Sequence, residues 1–345
     1  MERIFKNKGC ATIVYDRIER KYLLGKDIAD GVIVVVENKK YYFTDDRYFY
    51  AVKDEITELG FIPVKYTGAE SVNDLLISNN VKTLYLNYDR ICVSQYLSFI
   101  EKGFEVKDYS RAITLMRSVK SEAELLNVKK ACEIAQKTYH KVIKTLKVGD
   151  TEREVKKRLE ESMLSLGADG LSFDTIVAFG KNSAIPHHVT GDDKLKIGDV
   201  VLVDMGCTCN GYCSDITRTA FFGKPSQKFV DDYNLVLKAN IYAEENIVDG
   251  IDGVVADGYA RDVLKEFHLD QYFTHSLGHG IGLEVHEYPT LSKRNKDKLV
   301  NGMVFSVEPG VYFNGEYGIR IEDTVALVDG KVERFFTDDK KLIIL

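Results

Sequence analysis

Apolar residues follow two different rhythms along this chain, and the rhythm changes near residue 118. Before it, short apolar runs alternate with polar turns. GVIVVVENKKYYFTD, beginning at Gly31, reads as a hairpin in which two apolar strands flank the polar ENKK turn. VKTLYLNY (81–88) reads as a further strand, and DEITELGF (54–61) carries the glycine expected just after a helix. This mixture predicts a small α/β domain.

After residue 118 the first signal is a capping box. Ser121 and Glu124 form S-x-x-E, and apolar residues then recur at 125, 128, 132, 135, 139, 142 and 146, which predicts a long amphipathic helix ended by Gly149. Thr151 and Glu154 repeat the box and open a second helix that runs to about Leu166, before Gly167. From 172 onward strands dominate, interrupted by helices at about 226–247 and 252–267. The regions 200–221 and 302–327 both read as paired strands, with Asn210-Gly211 a strong hairpin turn between residues 200 and 221. If that turn is the hinge, Asp204 and Asp215 face the same point from adjacent strands. The expectation is an α+β chain of two domains, 1–115 and 116–345. No fixed repeat or low-complexity segment is visible, although two hairpins, each led by helices, hint at a duplicated half.

Composition removes several function classes. The 345 residues are 45% hydrophobic, enough for ordinary cores, and the net charge of −6 is spread over 47 basic and 53 acidic residues. There is no long basic run to follow a phosphate backbone, so nucleic acid is a poor partner. No segment approaches roughly 18 uninterrupted apolar residues, and the N-terminus MERIFKNKGCATIVYDR lacks a signal-peptide core, so no membrane association and a cytoplasmic location are expected. Six cysteines are too sparse for a disulfide framework. Cys207, Cys209 and Cys213 cluster, but C-x-C-x3-C is not a zinc spacing, and they read as small buried thiols in a hairpin.

The chemistry sits in four blocks: VVLVDMGCTCNGYCSDITRT (200–219), THSLGHGIGLEVHEYP (274–289), GMVFSVEPGVY (302–312) and YGIRIEDTV (317–325). They contain Asp204, Asp215, His279, Glu308 and Glu322. Any one of these has an ordinary structural explanation as a strand-end, turn or loop residue. Carboxylates inside apolar strands, as in VLVDMG and FSVEPG, are costly to bury unless paired or metal-bound, and several together favour the metal. Four carboxylates and one imidazole suit two divalent cations of the harder kind, which points to metal-assisted hydrolysis.

These blocks resemble the metallopeptidases of the aminopeptidase P, prolidase and methionine aminopeptidase family, which share the pita-bread fold. RKYLLGKD and YYFTDDRYF resemble, more loosely, the N-terminal domain of aminopeptidase P and prolidase, a domain that bacterial-type methionine aminopeptidases lack. The resemblance implies that Asp204 binds one metal, that Asp215 and Glu322 bridge both, and that His279 and Glu308 complete the other. It implies manganese first, with cobalt or zinc as alternatives, and attack by a metal-bridging hydroxide. Glu308 is implied to carry the proton as well, while His187, His275 and His286 meet the substrate. Arg320 and Tyr312 fall where the family has residues lining the site, and strand alternation puts Arg320 on the face of Glu322. The glycines of GHGIG are expected to let backbone approach the metals.

His188 matches nothing and reads as surface; His140 and His268 lie in predicted helices and read as structural. The implied substrate is a peptide with proline in second position, and a homodimer is implied. A tertiary amide before proline offers no N–H, which sets such substrates apart. The leading expectation is a Xaa-Pro aminopeptidase and the alternative a Xaa-Pro dipeptidase. Dipeptidase-type sequences often carry an arginine after H-E-[WY]-P, where this chain has Thr290, although Arg294 or a partner residue could replace it. A non-catalytic peptide-binding module of the same fold would be the reading from another class, but all five ligands are present.

Overall fold

In the computed structural model, which describes residues 8–345, the valine run after Gly31 forms the centre of a six-stranded sheet. The strands are β1 (Cys10–Val14), β2 (Val32–Val36), β3 (Lys39–Thr44), β4 (Ile62–Lys65), β5 (Thr83–Leu86) and β6 (Glu105–Asp108), in the order β4-β3-β2-β1-β5-β6. Val36 pairs with Lys39, so Glu37 and Asn38 make the expected tight turn, with Glu37 at φ 54°. Helix α1 (Arg17–Leu24) follows β1, and α2 (Asp46–Glu58) starts earlier than its DEITELGF signal because the Asp45 side chain caps it by accepting from the Arg47 N–H. Helices α3 (Ala69–Ser78), α4 (Val93–Glu101) and α5 (Ser110–Ser118) complete the layer. Residues 1–7, part of the segment read above for a signal peptide, lie outside the described residues.

The chain divides into two compact units, one ending at Arg117 and the next starting at Ser118. In the second, α6 (Glu122–Ile143) begins at the Ser121/Glu124 box. It ends earlier than its apolar spacing suggests. The Thr145 hydroxyl and N–H both turn back to the Val142 carbonyl, which unwinds the last turn, and Gly149 lies in the loop beyond with its N–H on the Leu195 carbonyl. Helix α7 (Glu152–Ser165) starts at Thr151, whose hydroxyl accepts from the Glu154 N–H. No described helix is long and apolar enough to cross a membrane.

Each helix pair covers a sheet. Helices α6 and α7 share a core with β8 (Ile176–Phe179), β9 (Val200–Met205) and β12 (Ile216–Phe221), built on Val128, Ala135, Leu159, Val177, Val201 and Val203. The hairpin carrying the cysteines joins that core: β10 (Cys207–Cys209) pairs with β7 (Gly170–Leu171) and β11 (Tyr212–Cys213), and Cys207, Cys209 and Cys213 are all buried and unbridged. Helices α8 (Gln227–Asn246) and α9 (Gly253–Lys265) cover the second sheet through Val236, Ala239, Ala260, Leu264, Phe305 and Val325. Its strands are β13 (Gly278–Gly280), β14 (Glu287–Leu291), β15 (Val304–Val307), β18 (Asp323–Val328) and β19 (Lys331–Arg334). His268 lies beyond α9 rather than in it, at φ 60°.

Two further strands, β16 (Gly310–Phe313) and β17 (Tyr317–Arg320), prolong β15 and β18 as a hairpin. The ribbon breaks between the two pairings, at Glu308-Pro309 on one side and Ile321-Glu322 on the other. Pro309 has no N–H for a ladder, so the break is built into its chemistry. Finally β20 (Ile343–Ile344) runs parallel to β12.

The approach to β20 is held by charge. Lys340, 2% exposed, places Nζ 2.8 Å from Glu244 Oε2 and 2.9 Å from Asp323 Oδ2, and also donates to Asn240. Breaking a buried network from one side strands the remaining charges, at roughly 3–5 kcal/mol. Lys340→Met is therefore expected to cost about that much stability, seen as a lower urea midpoint; an unchanged midpoint would mean the network contributes nothing.

Candidate metal centre

Asp204 is the one half-exposed position in the otherwise buried strand β9, and it pairs with Thr217 of β12. Asp215 precedes Thr217 by two residues, so strand alternation turns both aspartates to one face. The hinge is the Asn210-Gly211 turn, with φ of 49° and 81°, the left-handed pair that a two-residue hairpin needs. Glu308 and Glu322 come from the two sides of the ribbon break. The Glu308 N–H bonds the Leu277 carbonyl at 2.8 Å and the Glu322 N–H bonds the Thr217 carbonyl at 3.1 Å, which fixes each against a neighbouring strand.

His279 arrives on β13 between two glycines. A Cβ at Gly278 would lie 1.9 Å from the Ser306 carbonyl oxygen, and one at Gly280 would lie 2.3 Å from that of Tyr288. The glycines of GHGIG thus serve close strand packing, a neighbour the sequence did not reveal. His279 Nδ1 faces the Gly280 carbonyl at 3.2 Å, so it carries the proton and leaves the Nε2 lone pair free. That Nε2 lies 3.3 Å from Glu308 Oε1 and 3.6 Å from Asp215 Oδ2.

The structure brings Asp204, Asp215, His187, His275, His279, His286, Glu308, Arg320 and Glu322 to the wall of one cavity of about 470 Å³. Ligand atoms of Asp215, His279 and Glu322 lie within 4.8 Å of one another. Asp204 Oδ1, Asp215 Oδ1 and Glu322 Oε1 are buried with no hydrogen-bond partner. Buried carboxylate oxygens are ordinarily satisfied, so three orphans in one place call for a cation. The chemistry of the donors agrees, since hard oxygens plus one imidazole suit a divalent ion.

Electrostatics gives the same result. Burial, then the nearby Glu322, Asp204 and Glu308, hold the Asp215 carboxyl well above its ordinary range. Burial and the Glu308 and Asp204 charges do the same to Glu322. Glu308 is pushed up to about 7, by burial first, with Arg320 opposing. Four carboxyl groups share one guanidinium, too little positive charge for all of them to ionise in a buried site.

That guanidinium belongs to Arg320, which donates from Nη2 to Asp204 Oδ2 at 2.6 Å, from Nε to Thr217 Oγ1 at 3.0 Å and from Nη1 to the Tyr312 hydroxyl at 2.8 Å. Thr217 in turn donates to Glu322 Oε2 at 2.6 Å. Thr217 was not singled out in the sequence, although its place two residues after Asp215 was a usable signal. Tyr312 continues the chain to His275 Nε2 at 2.9 Å, while His275 Nδ1 faces the Ser276 carbonyl at 2.8 Å. Burial, and then Arg320, drives the His275 pKa down to about 3, so its imidazole is neutral. The His286 ring stands edge-on to His279, with centroids 4.4 Å apart. His188, read as surface, is instead half-buried and 2.8 Å from Glu152 Oε2.

The profile of metallopeptidase family M24 matches residues 127–329, more than half of the chain and every residue of the cavity wall. The chain belongs to this family. It is 37% identical over 283 residues to a "Xaa-Pro dipeptidase" of Pyrococcus furiosus, covering 81% of this chain and 80% of the relative. An X-Pro aminopeptidase structure from Thermotoga maritima superposes with TM-score 0.91 at 32% identity, covering 100% of this chain and 99% of the other. A Xaa-Pro dipeptidase structure from Bacillus anthracis gives TM-score 0.92 at 34% identity, with 97% and 95% covered. The two units are thus the N-terminal α/β domain and the pita-bread domain of an M24 peptidase, an enzyme family that uses divalent metal.

Thr217 touches both Glu322 and Arg320, so its loss should loosen the centre without removing a carboxylate. Thr217→Val is expected to weaken Mn²⁺ binding about 10- to 100-fold by calorimetry. Unchanged affinity would show that the hydroxyl does not orient the glutamate.

Proposed function

We propose that this chain is a dinuclear metallopeptidase that cleaves the bond between an N-terminal residue and a following proline. The observation that carries it is the group of orphaned oxygens on Asp204, Asp215 and Glu322, gathered with the free Nε2 of His279. Asp204 would hold one divalent cation, Asp215 and Glu322 both, and His279 and Glu308 the second, with manganese the first candidate. Such ions supply Lewis acidity and lower the pKa of water toward neutrality.

The chain's own groups divide the remaining work. Arg320 keeps Asp204 aligned through Oδ2 and leaves Oδ1 free. The Ser306 hydroxyl donates to Glu308 Oε1 at 3.0 Å, leaving Oε2 to take a proton from water and return it to the departing proline nitrogen. His187 and His286, the exposed imidazoles of the wall, donate toward the substrate carbonyl. His275, with both ring nitrogens engaged, acts beside them by fixing Tyr312.

The comparisons reorder the two substrate lengths. The relative from Pyrococcus furiosus and the structure from Bacillus anthracis both bear the dipeptidase name, which favours a dipeptide over the longer peptide placed first above. Thr290 supports the second reading, because it stands exposed on the cavity wall opposite His279 and offers a free carboxylate no charge.

Chelator-treated protein should hydrolyse nothing and recover on Mn²⁺, with Co²⁺ or Zn²⁺ compared alongside. Cleavage of Ala-Pro, with little of Ala-Pro-Gly and none of Met-Ala-Ser, is the expected pattern. Cleavage of Ala-Pro-Gly but not Ala-Pro would reinstate the aminopeptidase, and Met-Ala-Ser alone would overturn the proline specificity.

A further inference from the structure

The loop after β8 brings Pro186 and His187 to the cavity wall, and it is fastened from behind by one carboxyl group. Glu152, the first residue of α7, has a fully buried side chain whose two oxygens meet donors from four points of the loop. Oε1 accepts from the Phe179 N–H and from Asn182 Nδ2, both at 2.9 Å. Oε2 accepts from the Gly191 N–H at 2.9 Å and faces His188 Nε2 at 2.8 Å. Phe179 and Gly191 bracket residues 180–190, so Glu152 closes that part of the loop as a clasp.

His188 serves a different part of the loop from the other three donors. A carboxylate only accepts, so Nε2 carries the proton and the ring is fixed toward Glu152. The His188 N–H also bonds the Ile185 carbonyl at 3.1 Å, which makes residues 185–188 one turn. Anchoring the inward His188 therefore sets the direction of His187, its outward neighbour, which lines the cavity. Without His188, Glu152 keeps three donors, while the turn bearing His187 loses its anchor to Glu152 and is left with the Arg320 Nη1 bond to the Pro186 carbonyl at 3.4 Å.

We propose that Glu152 and His188 are positioning residues that hold His187 at the angle from which it meets the substrate. The proposal rests on the Xaa-Pro peptidase reading for its activity readout. The full-length, Mn²⁺-loaded protein is compared as wild type, His188→Leu, His188→Gln, His187→Ala and the double variant His187→Ala/His188→Leu. His188→Leu is expected to lower kcat/KM for the proline peptide about 10- to 100-fold, since small misplacements of a positioning group cost that much. Metal content should not change. His188→Gln, whose amide nitrogen can reach the place of Nε2, should stay close to the wild type.

In the His187→Ala background His188→Leu should add nothing, because both changes remove the same interaction. An equal loss with and without His187, or no loss in the single variant, would overturn the proposal. His188→Asn, too short to span to Glu152, replaces the leucine variant if that one does not fold. If the wild type cleaves no proline peptide, the activity assignment fails separately. Imidazole ¹⁵N–¹H spectra then decide, with His187 signals moved by His188→Leu and restored by His188→Gln if the proposal holds, and unmoved by either if it does not.

Discussion

Like charges crowded on the wall of one largely buried cavity set the terms for the second unit. Asp204, Asp215, Glu308 and Glu322 meet around Arg320 and a neutral-leaning His279, and burial makes each extra ionised carboxyl expensive. A divalent cation removes that expense and satisfies the three orphaned oxygens at once. A cation bound here would therefore stabilise the folded arrangement of these groups, and the surrounding hydrogen bonds hold them in place for it. Arg320 alone joins Asp204, Thr217 and Tyr312, so a single side chain aligns a proposed ligand, the partner of another and the partner of a histidine.

The fold delivers these groups by strand pairing. Helices α6 and α7 cover one sheet and α8 and α9 the other, and the two aspartates come from the first while His279 and the glutamates come from the second and its ribbon. The break at Pro309 frees the backbone of Glu308 and Glu322 from the regular ladder, so Glu308 can bond Leu277 just before β13 and Glu322 can bond Thr217 of β12. Immediately past Glu322, Asp323 turns the other way to Arg218, Arg334 and Lys340. Adjacent residues thus face the candidate metal centre and a buried ion network, as period-two alternation requires.

Much of this was legible in the sequence because it is local. Ser121/Glu124, Thr151/Glu154 and Asn210-Gly211 act within a few residues, and the structure has a cap or turn at each. Carboxylates set in apolar strands were equally visible, since their cost does not depend on what lies opposite. What stayed hidden depends on register. Thr217 could not be tied to Glu322, nor Arg320 to Asp204, without knowing how distant strands pair. His188 read as surface because its partner lies 36 positions earlier, at a helix start that looked like an ordinary cap. Apolar spacing overruns the end of α6 because it continues through a turn that Thr145 tightens.

The most direct test of the central claim is anomalous X-ray scattering from crystals of the Mn²⁺-loaded protein. The account predicts two peaks roughly 3.5–4 Å apart, both touching Asp215 and Glu322, with Asp204 on one and His279 and Glu308 on the other. A cavity without peaks, or manganese bound away from these carboxylates, would contradict it.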